Sequence, residues 1–339
     1  MFVLGIETSC DETSASVITE EFRVLSNVIH SQPAHSDFGG VVPEIASREH
    51  CLKIEDIVGQ ALEKAGIGPE GIDLVCATSS PGLMGALLVG LSFAKGFAFS
   101  RNIPFAAVNH LDAHIQANVF TDPKAVEPPY TALVVSGGHT FLAACGKGHG
   151  HELIGNTLDD AAGEALDKAG KLMGLAYPAG REIEAIAKKG NPAFHHFPRA
   201  LPAKNNLNFS FSGLKTALKN FLKKMDPADI EGKTADILAS YQEAVMDALV
   251  KKSVLALRKT KYRKLLLCGG VARNGLLRER LSLSIKPPHE LYYPAPEFCT
   301  DNGAMIAAAG FMKYRRLGPD ALTAQAFAEF NITEVNYGS

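Results

Sequence analysis

Two histidines, His110 and His114, stand four residues apart in Asn109-His110-Leu111-Asp112-Ala113-His114, directly after the apolar run from Ile103 to Val108. On a helix this spacing stacks both imidazoles on one face, within reach of a single cation. That is half of a metal site, and a pair of surface or capping histidines would leave the same mark. A third ligand lies far downstream: Asp301, in Phe298-Cys299-Thr300-Asp301-Asn302-Gly303-Ala304, at the mouth of another helical stretch. Two imidazoles and a carboxylate suit zinc or iron(II). Metalloprotease chemistry does not fit, because H-E-x-x-H needs a glutamate after the first histidine and Leu111 stands there.

Other stretches could hold an anion or a sugar. Thr8-Ser9-Cys10-Asp11-Glu12-Thr13 carries more hydroxyls and carboxylates than a connection needs, and reads either as a phosphate or metal loop or as a solvated turn. In Ser136-Gly137-Gly138-His139-Thr140 the glycines would let backbone N–H groups approach an anion, although the same run is a common hairpin turn. Asp167 lies seven residues past Asp160, two helical turns on, where it could meet a ribose hydroxyl or a metal-bound water. Pro178-Ala179-Gly180-Arg181 opens a further helix with Glu184 on its next turn.

The elements that must position these residues come in two similar sets. Phe2 to Glu7 reads as a buried strand, Ser14 to Thr19 as its hairpin partner and Arg23 to His30 as a third strand. The segment His35 to His50 runs from a glycine turn into a helix, with Pro43 in its first turn and apolar periodicity to about Ala65. Asp73 to Ser79 is another buried strand, broken by Ser80-Pro81-Gly82 into a helix over 83–100. After the polar stretch Thr121 to Pro129 the pattern repeats, with strands at Tyr130 to Val135, Phe141 to Cys145 and Glu152 to Thr157. Asn208 to Ser212 reads as an edge strand and cap, and Ala235 to Leu257 as an amphipathic core helix. The strand Lys264 to Cys268 then leads through Gly269-Gly270 into a helix.

This duplication predicts an α/β protein of two ribonuclease-H-like lobes with an interlobe cleft, as in the actin, heat-shock-70 and sugar-kinase ATPases. There the two turns hold nucleotide phosphates and a strand-Gly-Gly-helix turn takes the adenosine; Gly269-Gly270 fits that turn. We expect lobe I over 1–125 with a returning segment 300–339, and lobe II over 126–299. The return is required if Asp301 is to meet His110 and His114.

Composition bounds the rest. At 339 residues and 46% hydrophobic the chain has room for two core-bearing domains. A net charge of -2 argues against a broadly basic nucleic-acid-binding protein, so RNA would need a local patch or accessory proteins. Six cysteines without C-x-x-C spacing, and a start directly on a strand, lead us to expect a reduced, cytoplasmic protein. Gly82 to Phe99 is apolar but carries Lys95 and several glycines, and reads as a buried helix, so no membrane span is expected.

Taken together, GIETSCDET at 5–13, GGVVPEIASREH at 39–50, NHLDAH at 109–114, SGGHT at 136–140, DDAAGEALDKAGKLMGL at 159–175, FSFSGLK at 209–215, GGVARN at 269–274 and CTDNGAMIA at 299–307 carry a specific resemblance. End to end, the chain resembles the bacterial tRNA N6-adenosine threonylcarbamoyltransferase family, TsaD, related to the Kae protein of the KEOPS complex and formerly called O-sialoglycoprotein endopeptidase. The resemblance implies that His110, His114 and Asp301 hold Fe(2+) or Zn(2+). It also implies that Val134, Val135, Ser136, Gly137, Gly138, Asp167, Gly180, Glu184 and Asn274 surround the adenylate substrate threonylcarbamoyl-AMP, with ATP or ADP as further candidates. Threonylcarbamoyl would pass to N6 of adenosine 37 in tRNAs reading codons that begin with A, with a TsaB-like paralogue and a TsaE-like ATPase as partners. Glu12, Asp11 and His139 are the candidates for general base. Two positions depart from the family pattern, Ala113 and Ala179 standing where glycine is usual; Ala179 would narrow the adenosine side slightly. The rival reading is a nucleotide-hydrolysing switch or kinase of the same fold, which would coordinate magnesium through carboxylates and water and needs no paired histidines.

Overall fold

The computed structural model describes residues 1–33, 35, 40–148, 150–202 and 205–329. Part of the glycine turn expected within His35 to His50, and the end of the returning segment, lie outside these residues. The chain divides into two compact units: Met1–Pro128 with Gly146–His151 and the chain from Pro294, and Pro129–Cys145 with Glu152–Tyr293.

In the first unit β1 (Phe2–Glu7), β2 (Glu12–Thr19) and β3 (Val24–Ser31) form an antiparallel meander. After α1 (Pro43–Ala65) the chain returns as β4 (Leu74–Ser80), parallel to β1. After α2 (Met84–Arg101) comes β5 (Phe105–Asn109), parallel to β4, giving the order β3-β2-β1-β4-β5. Local chemistry sets the helix ends: Pro43 occupies the first turn of α1, while Gly66 and Asn102 close α1 and α2 in the left-handed conformation. Strand periodicity sorts the faces. Leu4, Ile6, Ala15 and Val17 pack into a core with Ile54, Val58, Leu87 and Leu91 of α1 and α2, leaving Gly5, Ser14 and Ser16 on the opposite face. From β5 the chain turns straight into α3 (His110–Gln116).

The second unit repeats the plan. Strands β6 (Tyr130–Val135), β7 (Thr140–Cys145), β8 (His151–Asn156), β9 (Lys264–Cys268) and β10 (Glu290–Tyr292) stand in the order β10-β9-β6-β7-β8, with β9 parallel to both β6 and β10. Read from the meander edge, the two five-stranded sheets are the same sheet. Its helices are α4 (Ala162–Leu172), α5 (Gly180–Ala187), α6 (Ser212–Leu222), α7 (Pro227–Thr260) and α8 (Gly275–Ser284). Helix α7 extends well before the expected Ala235, because Pro227 supplies a first-turn start to polar, mostly exposed residues that show no apolar period. The edge strand expected at Asn208 to Ser212 reduces to one bridge, Thr157 to Phe209, before α6 begins. Strand β10 is only three residues long, too short for an alternation to show.

The chain then re-enters the first unit as α9 (Gly303–Leu317), packed on the sheet face opposite α1 and α2. A Cβ at Gly303 would lie 2.6 Å from Ser16 N and 2.7 Å from Gly5 O, so glycine alone lets the start of α9 sit on β1 and β2. Ser14 Oγ accepts the Gly303 N–H at 2.8 Å. Among the described residues no helix is long and apolar enough to cross a membrane.

Candidate metal centre and nucleotide-binding residues

Helix α3 begins where β5 stops because Asn109 caps it, its Oδ1 accepting from Leu111 and Asp112 N–H at 3.0 Å each. The cap fixes His110 as the first helical residue and His114 one turn on; their ring centroids are 4.7 Å apart. Asn302 likewise caps α9 through Met305 N–H at 3.0 Å and holds Asp301 just ahead of the helix. Asp301 Oδ1 lies 3.5 Å from His110 Nε2 and 3.1 Å from His114 Nε2.

The donors fit a cation. Ligands about 2.0–2.2 Å from a tetrahedral ion stand roughly 3.3 Å from one another, close to the spacing found. His114 is buried, and among the described residues neither of its ring nitrogens has a hydrogen-bond partner despite the nearby carboxylate. Proximity without hydrogen-bond direction is what donors aimed at a common third point produce.

Behind His110 stands Glu7, at the end of β1 and fully buried. Its Oε2 lies 3.0 Å from His110 Nδ1 and accepts from Thr78 Oγ1 at 2.6 Å, while Ser9 N–H donates to its other oxygen. A carboxylate on Nδ1 leaves the Nε2 lone pair directed at the cluster, the arrangement of metal-ligating histidines. Burial would raise the Glu7 carboxyl, but attraction and hydrogen bonding to His110 outweigh it and hold it below the usual range. Burial likewise opposes a charged His110, yet Asp301 and Glu7 raise it to about 9. In the metal-free chain a proton therefore occupies part of the charge space a cation would fill.

Asp11 and Glu12 lie at the β1–β2 turn. Burial, with Asp301, Asp11 and Glu7 nearby, pushes Glu12 up to about 10. At neutral pH the metal-free chain thus holds Glu12 as a proton donor rather than a base. The turn is tied to α1 by His50, whose ring nitrogens lie 2.8 Å from Thr13 Oγ1 and 2.9 Å from Cys10 O.

The second unit holds the remaining candidates. Ser136 closes the β6–β7 turn by accepting His139 N–H at 3.0 Å on its hydroxyl and donating its own N–H to His139 O at 2.8 Å. Gly137 and Gly138 are exposed at the tip, and His139 belongs to this turn. Gly163 N–H donates to Ser136 O at 3.2 Å, so the first turn of α4 backs the glycines. Val134 and Val135 are fully buried within β6, where Val134 pairs with Phe141 on one side and Cys268 on the other.

Asp167 of α4 accepts the Ala179 N–H at 2.8 Å, fixing the entry to α5 at Gly180; burial raises its carboxyl. The Ala179 side chain is buried against Gly170, so its methyl fills a packing gap and does not narrow an open face. Glu184 accepts the Gly275 N–H at 3.1 Å and pairs with Lys188 at 3.1 Å. Asn274 caps α8 through Leu277 N–H and donates to Gln242 Oε1, each at 3.1 Å. Glu184, Lys188, Gln242, Gly275 and Arg280 line a cavity of about 420 Å³ between α5, α7 and α8. Sequence reasoning missed Glu7 and Gln242: the first reads as the end of a strand, the second as one polar residue on a core helix.

Two five-stranded α/β units of common topology make this an actin-like ATPase fold, one unit of which bears a His/His/carboxylate cluster able to hold a metal ion. The component A of (R)-2-hydroxyglutaryl-CoA dehydratase from Acidaminococcus fermentans shares the fold, with TM-score 0.56 and 14% identity over 93% of this chain and 99% of that one. HypF of T. kodakarensis matches with TM-score 0.60 and 15% identity, over 92% of this chain and 47% of its own. The family model for TsaD, tRNA N6-adenosine threonylcarbamoyltransferase, matches residues 23–308. Relatives of that name are 49% identical in Desulfitobacterium hafniense, over 92% of both chains, and 44% identical in Chlorobium phaeobacteroides, over 97% of this chain and 99% of the other. The chain belongs to the tRNA N6-adenosine threonylcarbamoyltransferase family and is a transferase.

Proposed function

We infer that the chain transfers the threonylcarbamoyl group of threonylcarbamoyl-AMP to N6 of adenosine 37 in tRNAs reading codons that begin with A, releasing AMP. Family membership supports the reaction, and the convergence of His110, His114 and Asp301 on one point is the observation that carries the mechanism. A divalent ion held there, Fe(2+) or Zn(2+), would supply Lewis-acid and template chemistry for the carbamoyl carbonyl. Glu7 keeps the His110 Nδ1 proton, so that Nε2 faces the ligand set. In the Ser136-Gly137-Gly138 turn the Ser136 N–H is taken by His139 O, and the exposed Gly137 and Gly138 would offer their backbone N–H groups to the phosphate and to the charge that develops as AMP departs. Val134 and Val135 brace that turn, while Asp167, Gly180, Glu184 and Asn274 hold the adenosine, with ATP or ADP as further occupants.

The adenine amine is a poor nucleophile because its lone pair is delocalised into the ring, so positioning supplies much of the acceleration. Asp11, Glu12 and His139 are the candidates to take its proton; Glu12 can do so only once a cation lowers its raised affinity for protons. We assign lobe I to 1–125 with the return from 300, lobe II to 126–299, and a cytoplasmic setting. A TsaB-like paralogue would dock on α1 and α2, where Leu52, Met84 and Leu88 are exposed, with a TsaE-like ATPase completing the assembly.

The test is transfer of labelled threonine from threonylcarbamoyl-AMP to an unmodified tRNA transcript, with and without the accessory proteins, for wild type and His110→Ala. Label in wild type and little in the variant is expected. No label under any condition, with nucleotide still bound, would return the switch or kinase reading.

A further inference from the structure

From Ala185 to Met225 the sequence contains no aspartate or glutamate and eight lysines and arginines, in a chain whose net charge is -2. That is a sharp local departure from the average, and half of these cations lie on one helix and its C-terminal end. Helix α6 buries Leu214 and Leu218 and exposes Lys215 and Lys219, and Lys223, exposed at its C-cap in helical conformation, continues the four-residue spacing. Residues at that spacing are neighbours along one helical face, so the three ammonium groups form a row. Lys224 is exposed beside them, and acids resume only at Asp226.

Several other lysines of this unit sit in ion pairs, Lys168 with Asp160 and Glu164, Lys188 with Glu184 and Lys251 with Asp247. Among the described residues Lys215, Lys219, Lys223 and Lys224 have no such partner. The row is also firmly held. Asp159 accepts from Phe211 and Ser212 N–H and from the Ser210 and Ser212 hydroxyls at 2.5–3.1 Å, which fixes the start of α6. Helix α6 packs on α4, whose own first turn is bonded to the Ser136 turn. A rigid cationic row one helix away from the proposed phosphate turn suits a polyanion that must present one base to that site.

We propose that the exposed face of α6, through Lys215, Lys219 and Lys223, binds the phosphate backbone of the substrate tRNA. The proposal rests on the transfer reading above. A chain without net positive charge can itself hold RNA only through such a local patch, because phosphate contacts supply a large share of the affinity and make it salt-dependent.

The test compares wild type with K215Q/K219Q/K223Q, and with a control triple of exposed lysines, K147Q/K261Q/K286Q. Each is titrated with an unmodified tRNA transcript over a range of salt and assayed for transfer. Glutamine keeps helix propensity, and unchanged circular dichroism and AMP affinity establish that the fold survives. Losing three contacts at about 0.9 each in the log–log salt slope means that going from about 50 to about 200 mM salt weakens wild type about 40-fold more than the variant. The KM for tRNA rises, while kcat and the KM for threonylcarbamoyl-AMP hold. A wild type that modifies tRNA beside an α6 variant with unchanged tRNA affinity and slope overturns this proposal alone. Equal losses in the control triple also overturn it, by making the effect one of net charge, as does a variant that keeps tRNA but loses an acidic protein partner. A wild type that neither binds nor modifies tRNA overturns the transfer reading as well.

Discussion

Glu7, fully buried, and Glu12, half-buried, are both carboxyls near Asp301, yet they shift in opposite directions because only Glu7 touches an imidazole. Replacing Glu7 by Gln leaves the three ligands in place and removes the charge that orients His110. Metal affinity, measured by chelator competition, should weaken roughly 10- to 100-fold. Unchanged affinity would show that His110 needs no such partner.

The metal-free chain should also respond to pH. His110 and Glu12 have folded values of about 9 and about 10, above their ordinary 6.5 and 4.5. Both contribute stability that is fully present below the ordinary values and is lost as pH rises through the folded ones. Glu7, shifted down, matters only on the acid side of 4.5. Chelator-treated protein should therefore melt lower at about pH 8.5 than at about pH 6, and added metal should raise Tm more at the higher pH, since binding displaces protons. A metal-free Tm that holds or rises with pH would contradict the site electrostatics. At this scale the sequence shows much: the i, i+4 histidines and Asp301 can be singled out by type and spacing. Glu7 cannot, because nothing local distinguishes a carboxylate at a strand end from the start of a turn.

The elements were legible where a period or a cap announces them. Strands β6 and β9 match the residues read from sequence, and α1 runs from its proline to its left-handed glycine. Where neither signal operates the reading falls short, as in the polar start of α7 and the three residues of β10. The seat of α9 on β1 and β2 is a tertiary fact that depends on missing side chains at Gly5 and Gly303. Gly303→Ala would force apart backbone atoms now in contact, at a cost of about 1–3 kcal/mol, and would displace Asp301 with the helix start. Denaturant midpoint and metal content should fall together in this variant, whereas Asp301→Asn should lower metal content with little loss of stability. Full metal binding by Gly303→Ala would mean that α9 does not position the ligand.

Across the whole molecule the two kinds of ligand group are segregated: the His/His/carboxylate cluster lies in one unit and the cavity lined by Glu184 and Gly275 in the other. Binding should divide accordingly. Asp301→Ala should abolish the thermal shift caused by metal and keep that caused by AMP, and Glu184→Ala should do the reverse; each ligand raises the melting point only through the state it binds. A single variant that removes both shifts would show the two sites to be one.

The first unit is discontinuous in the chain, its sheet completed before residue 110 while Asp301 and α9 come after Tyr293. During synthesis the second unit therefore leaves the ribosome whole before the first can be finished. Until Asp301 emerges, a nascent chain offers a cation only two histidines. Assembly of the His/His/carboxylate cluster thus waits until residue 301 has emerged, and a product cut short before it lacks the third member of the set.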